Sequence, residues 1–126
     1  MRVKIGYLLF FLIPVLAACS AGPSASDAIE AYLSALVEGD QLQALNNSCV
    51  DWESQAKAEA ASFEAVEARL EGVSCSLVEG GENEGVVECA GSILATYGAE
   101  VQELKLQGRS YIVTFEAGDW RMCGYQ

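Results

Sequence analysis

The 126-residue sequence contains no histidine. That absence removes Ser-His-Asp and Cys-His catalysis and leaves the usual catalytic zinc ligand sets incomplete. Any reaction would have to run on carboxylate, tyrosine, lysine or arginine side chains, so the expectation leans away from an enzyme. Basic residues are scarce as well: seven Lys and Arg stand against eighteen Asp and Glu, a formal charge of −11. A surface of that sign repels nucleic acid and anionic headgroups, which excludes polynucleotide binding and a polybasic membrane dock. Proline is limited to Pro14 and Pro23. No cofactor is expected.

The chain has one long apolar run, Ile5 to Ala18, which follows Arg2 and Lys4 and closes in Leu16-Ala17-Ala18-Cys19-Ser20. A short basic start, an apolar segment and small residues at its end make an export signal. The run falls short of the ~20 apolar residues of a membrane-spanning helix, and Pro14 would disturb such a helix. Leu-Ala-Ala-Cys resembles the lipobox of bacterial lipoproteins, in which the cysteine is lipid-modified and the chain is cut just before it. The resemblance implies a signal peptide over residues 1–18 and an acyl-bearing (palmitate-type) Cys19. It also implies a protein held by its lipid on the extracytoplasmic face of a cell membrane or outer membrane. Each buried methylene contributes roughly 0.8 kcal/mol, so two or three chains anchor a small domain lastingly. Residues 19–26 then form a lipidated, flexible tether and 27–126 a single domain. Cut before Cys19, the chain keeps five basic and eighteen acidic residues, a charge of −13.

Beyond Cys19 the cysteines are Cys49, Cys75, Cys89 and Cys123. An even number in an exported chain reads as two disulfides, because the compartment has no thiol pool to reduce them. A hairpin centred on Gly80-Gly81 sets Cys75 nearly opposite Cys89, which leaves Cys49 to join Cys123. The rival pairing, Cys49 with Cys75 and Cys89 with Cys123, stays open. Metal binding finds no Cys-x-x-Cys spacing to support it.

Ser26 or Asp27 caps a first helix, with Glu30 closing a capping box, and Ile29, Tyr32, Leu33, Leu36 and Val37 form its core stripe. Gly39 ends it. Asp40 caps a second helix over 41–47 with Leu42 and Leu45 as its apolar positions. A third helix is predicted from Trp52 to Glu71, with Trp52, Ala56, Ala60, Phe63, Val66 and Leu70 on its buried side and Glu53, Glu59, Glu64 and Glu67 on its polar face. From Gly72 the period becomes two, which predicts four strands: one through Cys75, one from Gly85 to Tyr97, a long one from Val101 to Phe115 with a bulge at Gly108, and a last from Trp120. The expected fold class is α+β, three N-terminal helices packed on a curved four-stranded antiparallel sheet.

Two phrases, Ala28-Ile29-Glu30-Ala31-Tyr32-Leu33-Ser34-Ala35-Leu36-Val37-Glu38-Gly39-Asp40 and Gly118-Asp119-Trp120-Arg121-Met122-Cys123-Gly124, resemble the opening helix and closing hairpin of nuclear transport factor 2-like cones. That resemblance implies a cone with one open end and a sheet face suited to a homodimer. Tyr32, Tyr97 and Tyr111 are the candidate cavity lining, Glu88 and Glu103 the strand carboxylates that could point inward, and Arg109 and Arg121 the candidate anion contacts. Glu79, Glu82 and Glu84 around the Gly-Gly turn are a candidate calcium loop. The expected function is a membrane-anchored, non-catalytic module for a small apolar ligand or a partner protein. The alternative is a small isomerase or hydratase that uses a cavity carboxylate.

Overall fold

The structure is a computed structural model and describes residues 22–126. The apolar run, the Leu16–Ser20 stretch and Cys19 lie outside the described residues. Over the described residues the elements are α1 (Ala25–Val37), α2 (Gln41–Asn46), a 3-10 turn (Val50–Trp52), α3 (Glu53–Ser62), β1 (Glu67–Gly80), β2 (Glu84–Tyr97), β3 (Glu100–Lys105), β4 (Ser110–Glu116) and β5 (Asp119–Tyr125).

The cap of α1 is Ser24, ahead of the expected Ser26 or Asp27. Ser24 Oγ accepts from the Asp27 N–H at 3.1 Å, and the Asp27 carboxylate accepts from the Ser24 N–H at 3.0 Å. These bonds to Ser24 hold the Asp27 carboxyl below its ordinary range. Starting at Ser24 adds Ala25 to the buried face that Ala28, Ile29, Tyr32, Leu33 and Leu36 continue. Both cap patterns suit the local chain, and burial of Ala25 decides between them. Glu30 does not close the box; its carboxylate accepts from the Cys75 N–H at 3.0 Å and ties α1 to β1.

The corner after α1 turns at Gly39, whose φ is +65°. A Cβ there would stand 3.1 Å from the Glu64 Cα, so the missing side chain is what lets the turn after α3 close on this corner. Asp40 caps α2 by accepting from the Gln43 N–H at 3.0 Å. Leu42, expected inside, is 66% exposed, while Ala44 is fully buried. Six residues present one narrow inward stripe, and alanine fills the space where α2 meets α3, whose Ala56 and Ala60 are also fully buried.

The third helix stops at Ser62, nine residues short of the expected Glu71. Phe63, Glu64 and Val66 close tight turns onto Ala60, Ala61 and Phe63 carbonyls. Glu67 to Glu71 then pair with Thr96 to Ser92 of β2. Glu67-Ala68-Arg69-Leu70-Glu71 has good helix propensity, and the ladder to β2 overrides it. The alternation of half-buried Val66, Ala68 and Leu70 with exposed neighbours is a strand period inside a helical composition.

The sheet has five strands, not four, in the order β1-β2-β4-β5, with β3 also paired to β2. The expected long strand from Val101 to Phe115 divides because residues 106–109 leave the ladder. β3 pairs with 92–97 of β2 and β4 with 84–88, both antiparallel. Between them one backbone bond spans the break, Leu106 N–H to Gly91 O at 3.0 Å, and Arg109 N–H turns back to Leu106 O at 3.2 Å. The two strands are thus successive pieces of one edge of β2, separated by an excursion of the chain at residues 106–109.

Cys75 and Cys89 are direct partners in the β1–β2 register and form a disulfide with a Cα separation of 4.1 Å. Cys49 is joined to Cys123 across 5.3 Å. Beside it, Cys49 N–H donates to Met122 O and Met122 N–H donates to Asn47 O, both at 2.8 Å, so the exit of α2 is stitched to β5 twice over. Loop-closure entropy assigns about 4.5 kcal/mol to the Cys49–Cys123 bridge, which spans 74 positions, and about 3 kcal/mol to the Cys75–Cys89 bridge, which spans 14.

Opposite Gly91 the β1 strand carries one residue too many, a bulge between Glu71 and Ser74. Gly91 has φ +96°, and a Cβ there would fall 2.6 Å from Gly72 O and 2.7 Å from Glu71 O. The obstacle is backbone, which cannot rotate aside. Gly91→Ala is therefore expected to destabilise the domain by about 3 kcal/mol or more through clash and strain together. Urea unfolding measures it; a loss below about 1 kcal/mol would show that the bulge has room to relax.

Candidate functional site

The excursion at residues 106–109 opens a cavity of about 560 Å³ between the ladder, α1 and α3. Leu33 and Leu36 reach it from α1, Phe63 from the turn after α3, and Ile93 and Leu106 from the sheet side. These walls are apolar because they are the inner flank of the core cluster. The polar side chains at its boundary are Glu59 and Ser62 of α3, Lys105 at the end of β3, Arg109 in the excursion, Tyr111 of β4, Tyr125 of β5 and Gln126 after it.

Three tyrosines and a tryptophan organise the inner wall. The Trp52 indole N–H donates to the Tyr32 hydroxyl oxygen at 3.1 Å. Tyr32 in turn donates to Glu59 Oε2 at 3.0 Å, and Tyr125 donates to the same oxygen at 2.7 Å. One carboxylate oxygen thereby joins α1, α3 and β5. The rings add edge contacts, Trp52 with Tyr125 at 5.5 Å and Tyr111 with Tyr125 at 5.4 Å between centroids. Burial pushes all three phenols above their ordinary range, and for Tyr125 the hydrogen bond to Glu59 adds to it. At Tyr111 the charge of Arg109 works the other way.

Tyr111 is fully buried, and its hydroxyl has no hydrogen-bond partner among the described residues. An unpaired buried donor is unusual, since nearly all such groups are satisfied. Arg109 holds its guanidinium over the Tyr125 ring at 5.6 Å from the centroid. Among the described residues the ion pair is Arg69 with Glu71; Lys105 and Arg109 make none.

Of the tyrosines expected to line a cavity, Tyr111 does so, and Tyr32 stands behind the wall as the second donor to Glu59. Tyr97 ends β2 at 49% exposure, away from both. Glu88 and Glu103 are not cavity acids: each is exposed and accepts from a serine hydroxyl, Ser110 at 3.3 Å and Ser92 at 2.8 Å. Arg121 donates to the Glu116 and Asn46 carbonyls, a structural clamp between the last hairpin and α2. Glu79, Glu82 and Glu84 are exposed, and no three acidic, cysteine or histidine side chains gather as a metal site among the described residues. The cavity carboxylate is Glu59, which its position on a glutamate-rich face concealed. The signal was present in the spacing: Glu59 lies three residues after Ala56 and one before Ala60, at the margin of the buried stripe.

No family model matches the chain, and no curated protein matches it. Among solved structures it resembles the solution structure of a SEC-C motif containing protein from Rhodopseudomonas palustris, with a TM-score of 0.53 and 15% identity, over 82% of this chain and 80% of that one. The likeness concerns the fold alone. It overturns the resemblance to nuclear transport factor 2-like cones: the fold is similar to this neighbour, and the sheet is a five-stranded antiparallel one rather than the expected four-stranded cone. The phrases that suggested the cone are a helix with its corner and a tight hairpin, features that mark turns and packing in many α+β domains. The lipobox resemblance rests on residues outside the described part. Two disulfides are compatible with an extracytoplasmic location, and no helix among the described residues is long and apolar enough to cross a membrane.

Removing the unpaired Tyr111 hydroxyl is expected to leave the empty protein as stable or more stable by about 1 kcal/mol, because the buried donor has nothing to lose. Tyr125→Phe, which strips a donor from Glu59, is expected to cost about 2 kcal/mol. Urea unfolding of the two variants compares them; equal losses would contradict the network. The raised phenol pKa values mean that folding favours the protonated forms. Their stabilisation is complete below the ordinary value of 10.0 and is lost as pH rises through the higher folded values. Tm is therefore expected to hold up to about pH 10 and to fall above it, with tyrosinate absorbance from these three rings appearing together with unfolding. Early absorbance from three buried rings in a protein still folded would refute it.

Proposed function

We propose that this domain is an extracytoplasmic, non-catalytic binding module, held at the membrane through lipid on Cys19, whose cavity takes a small, largely apolar ligand. The carrying observation is the cavity of about 560 Å³, with apolar walls from Leu33, Leu36 and Phe63 and a few polar groups at its boundary. Small-molecule sites commonly have about 300–1,000 Å³ and this mixture of lining. The disulfides and the α1–α3 packing hold the walls in place without a ligand, as a preformed site requires.

The enzyme alternative has one observation in its favour, a carboxylate, Glu59, at the cavity boundary. Its Oε2 already receives two phenol donors, which supports a positioning part for it more than a general base that must reach a substrate proton.

Residues 22–126 carry the core cluster of the described residues and both disulfides, so they can be tested alone. Purified from an oxidising compartment and offered a membrane lipid extract, they are expected to give a native mass spectrum with a discrete adduct that denaturation releases. A spectrum free of adduct before and after that exposure would remove the binding reading.

A further inference from the structure

We infer that the ligand of this cavity is an anionic single-chain amphiphile, its head group held by Lys105 and Arg109 and its chain laid against Leu33, Leu36 and Phe63. This deepens the binding-module reading and rests on it. The argument is one of placement. After residue 18 the chain carries only five basic residues among eighteen acidic ones, and two of the five border this one cavity. Neither Lys105 nor Arg109 makes an ion pair among the described residues, which they share with Lys57 and Arg121; what sets the two apart is that both border the cavity. The carboxylate that shares the boundary, Glu59, has Oε2 engaged by Tyr32 and Tyr125. Among the side chains that line the cavity, two positive charges, Lys105 and Arg109, thus stand against one negative, Glu59.

Arg109 is fixed where it is. It follows the turn that Arg109 N–H closes on Leu106 O, and its guanidinium rests on the Tyr125 ring. Stacking leaves the guanidinium edge free for a planar anion, the arrangement that makes arginine a carboxylate and phosphate binder. Lys105 arrives from the last position of β3, the other side of the excursion. Just inside, the Tyr111 hydroxyl is a buried donor with no acceptor among the described residues. Two cations and an unmet donor above an apolar pocket match a head that accepts and a tail that does not. A long-chain carboxylate and an alkyl phosphate share this chemistry.

The experiment is isothermal titration of residues 22–126 with four decyl compounds below their micelle concentrations: decanoate, decyl phosphate, decanol and decylamine. Decanoate or decyl phosphate is expected to bind, the tighter of the two naming the source of the head group, with decanol on the order of tenfold weaker and decylamine weaker still. Lys105→Gln with Arg109→Gln is expected to lower anion affinity on the order of tenfold or more while leaving decanol unchanged. Lys105→Gln alone, which removes no side-chain hydrogen bond or ion pair found among the described residues, is expected to lose part of that. Lys57→Gln with Arg69→Gln makes the same change in net charge away from the cavity and is expected to leave anion binding unaltered. Decanol binding as tightly as the anions would overturn the anionic head group while the cavity reading stands. An equal loss in both double variants would also overturn it, as an effect of overall charge. Binding by none of the four would remove this inference, and if the lipid extract also leaves no adduct, the cavity reading falls with it.

Discussion

Strand β2 is the constraint on which the rest of the molecule depends. Along one edge it pairs with β1 from Glu67 to Gly80, and along the other it must serve two strands, β4 at 84–88 and β3 at 92–97. A sheet twists, and a long strand accumulates that twist until a straight neighbour no longer keeps its register. Here the register breaks on both sides of Gly91, at the bulge in β1 and at the excursion of residues 106–109. The first bends the hairpin around α1. The second takes four residues out of the ladder and leaves the cavity behind.

The remaining elements hold that arrangement from outside. Glu30 pins β1 to α1, Arg121 clamps the last hairpin to the end of α2, and the Cys49–Cys123 bridge fastens the same hairpin to the following loop. In the interior Glu59 gathers phenols from α1 and β5 on a single oxygen. Such a network is stabilising when satisfied, because the low local dielectric strengthens each bond, and costly where a member lacks its partner. Tyr111, whose ring packs on Tyr125 beside that network, has no hydrogen-bond partner among the described residues. The point of greatest unmet polarity therefore coincides with the wall of the cavity, which is why the functional reading centres there.

Much of this was legible in residue order. Ile29, Tyr32, Leu33 and Leu36 at helical spacing announce the buried face of α1, and Gly39-Asp40 announces its corner. The Gly80-Gly81 turn and alternation around it place Cys75 opposite Cys89. Other parts were not legible, each for a nameable reason. Glu67 to Glu71 has helical composition and a strand's pairing, because the open edge of β2 offers more than local propensity does. The Val101–Phe115 stretch reads as one strand because nothing in its residues records that β2 must be shared. Glu59 reads as a surface glutamate because its phenol partners are 27 and 66 positions away.

By itself the sequence determined the chemistry available and the local periods: no histidine, an acidic surface, four cysteines beyond Cys19, helices first and strands after. Those follow from side-chain identity and from spacings of two to four residues, which a chain carries wherever it folds. The tertiary structure alone decided where α3 stops, how many strands form, which carboxylate meets the phenols and which two cations share a cavity. Each of those is settled by contacts between residues far apart in the chain, whose free energy outweighs local preference and exists only once the sheet has closed on its helices.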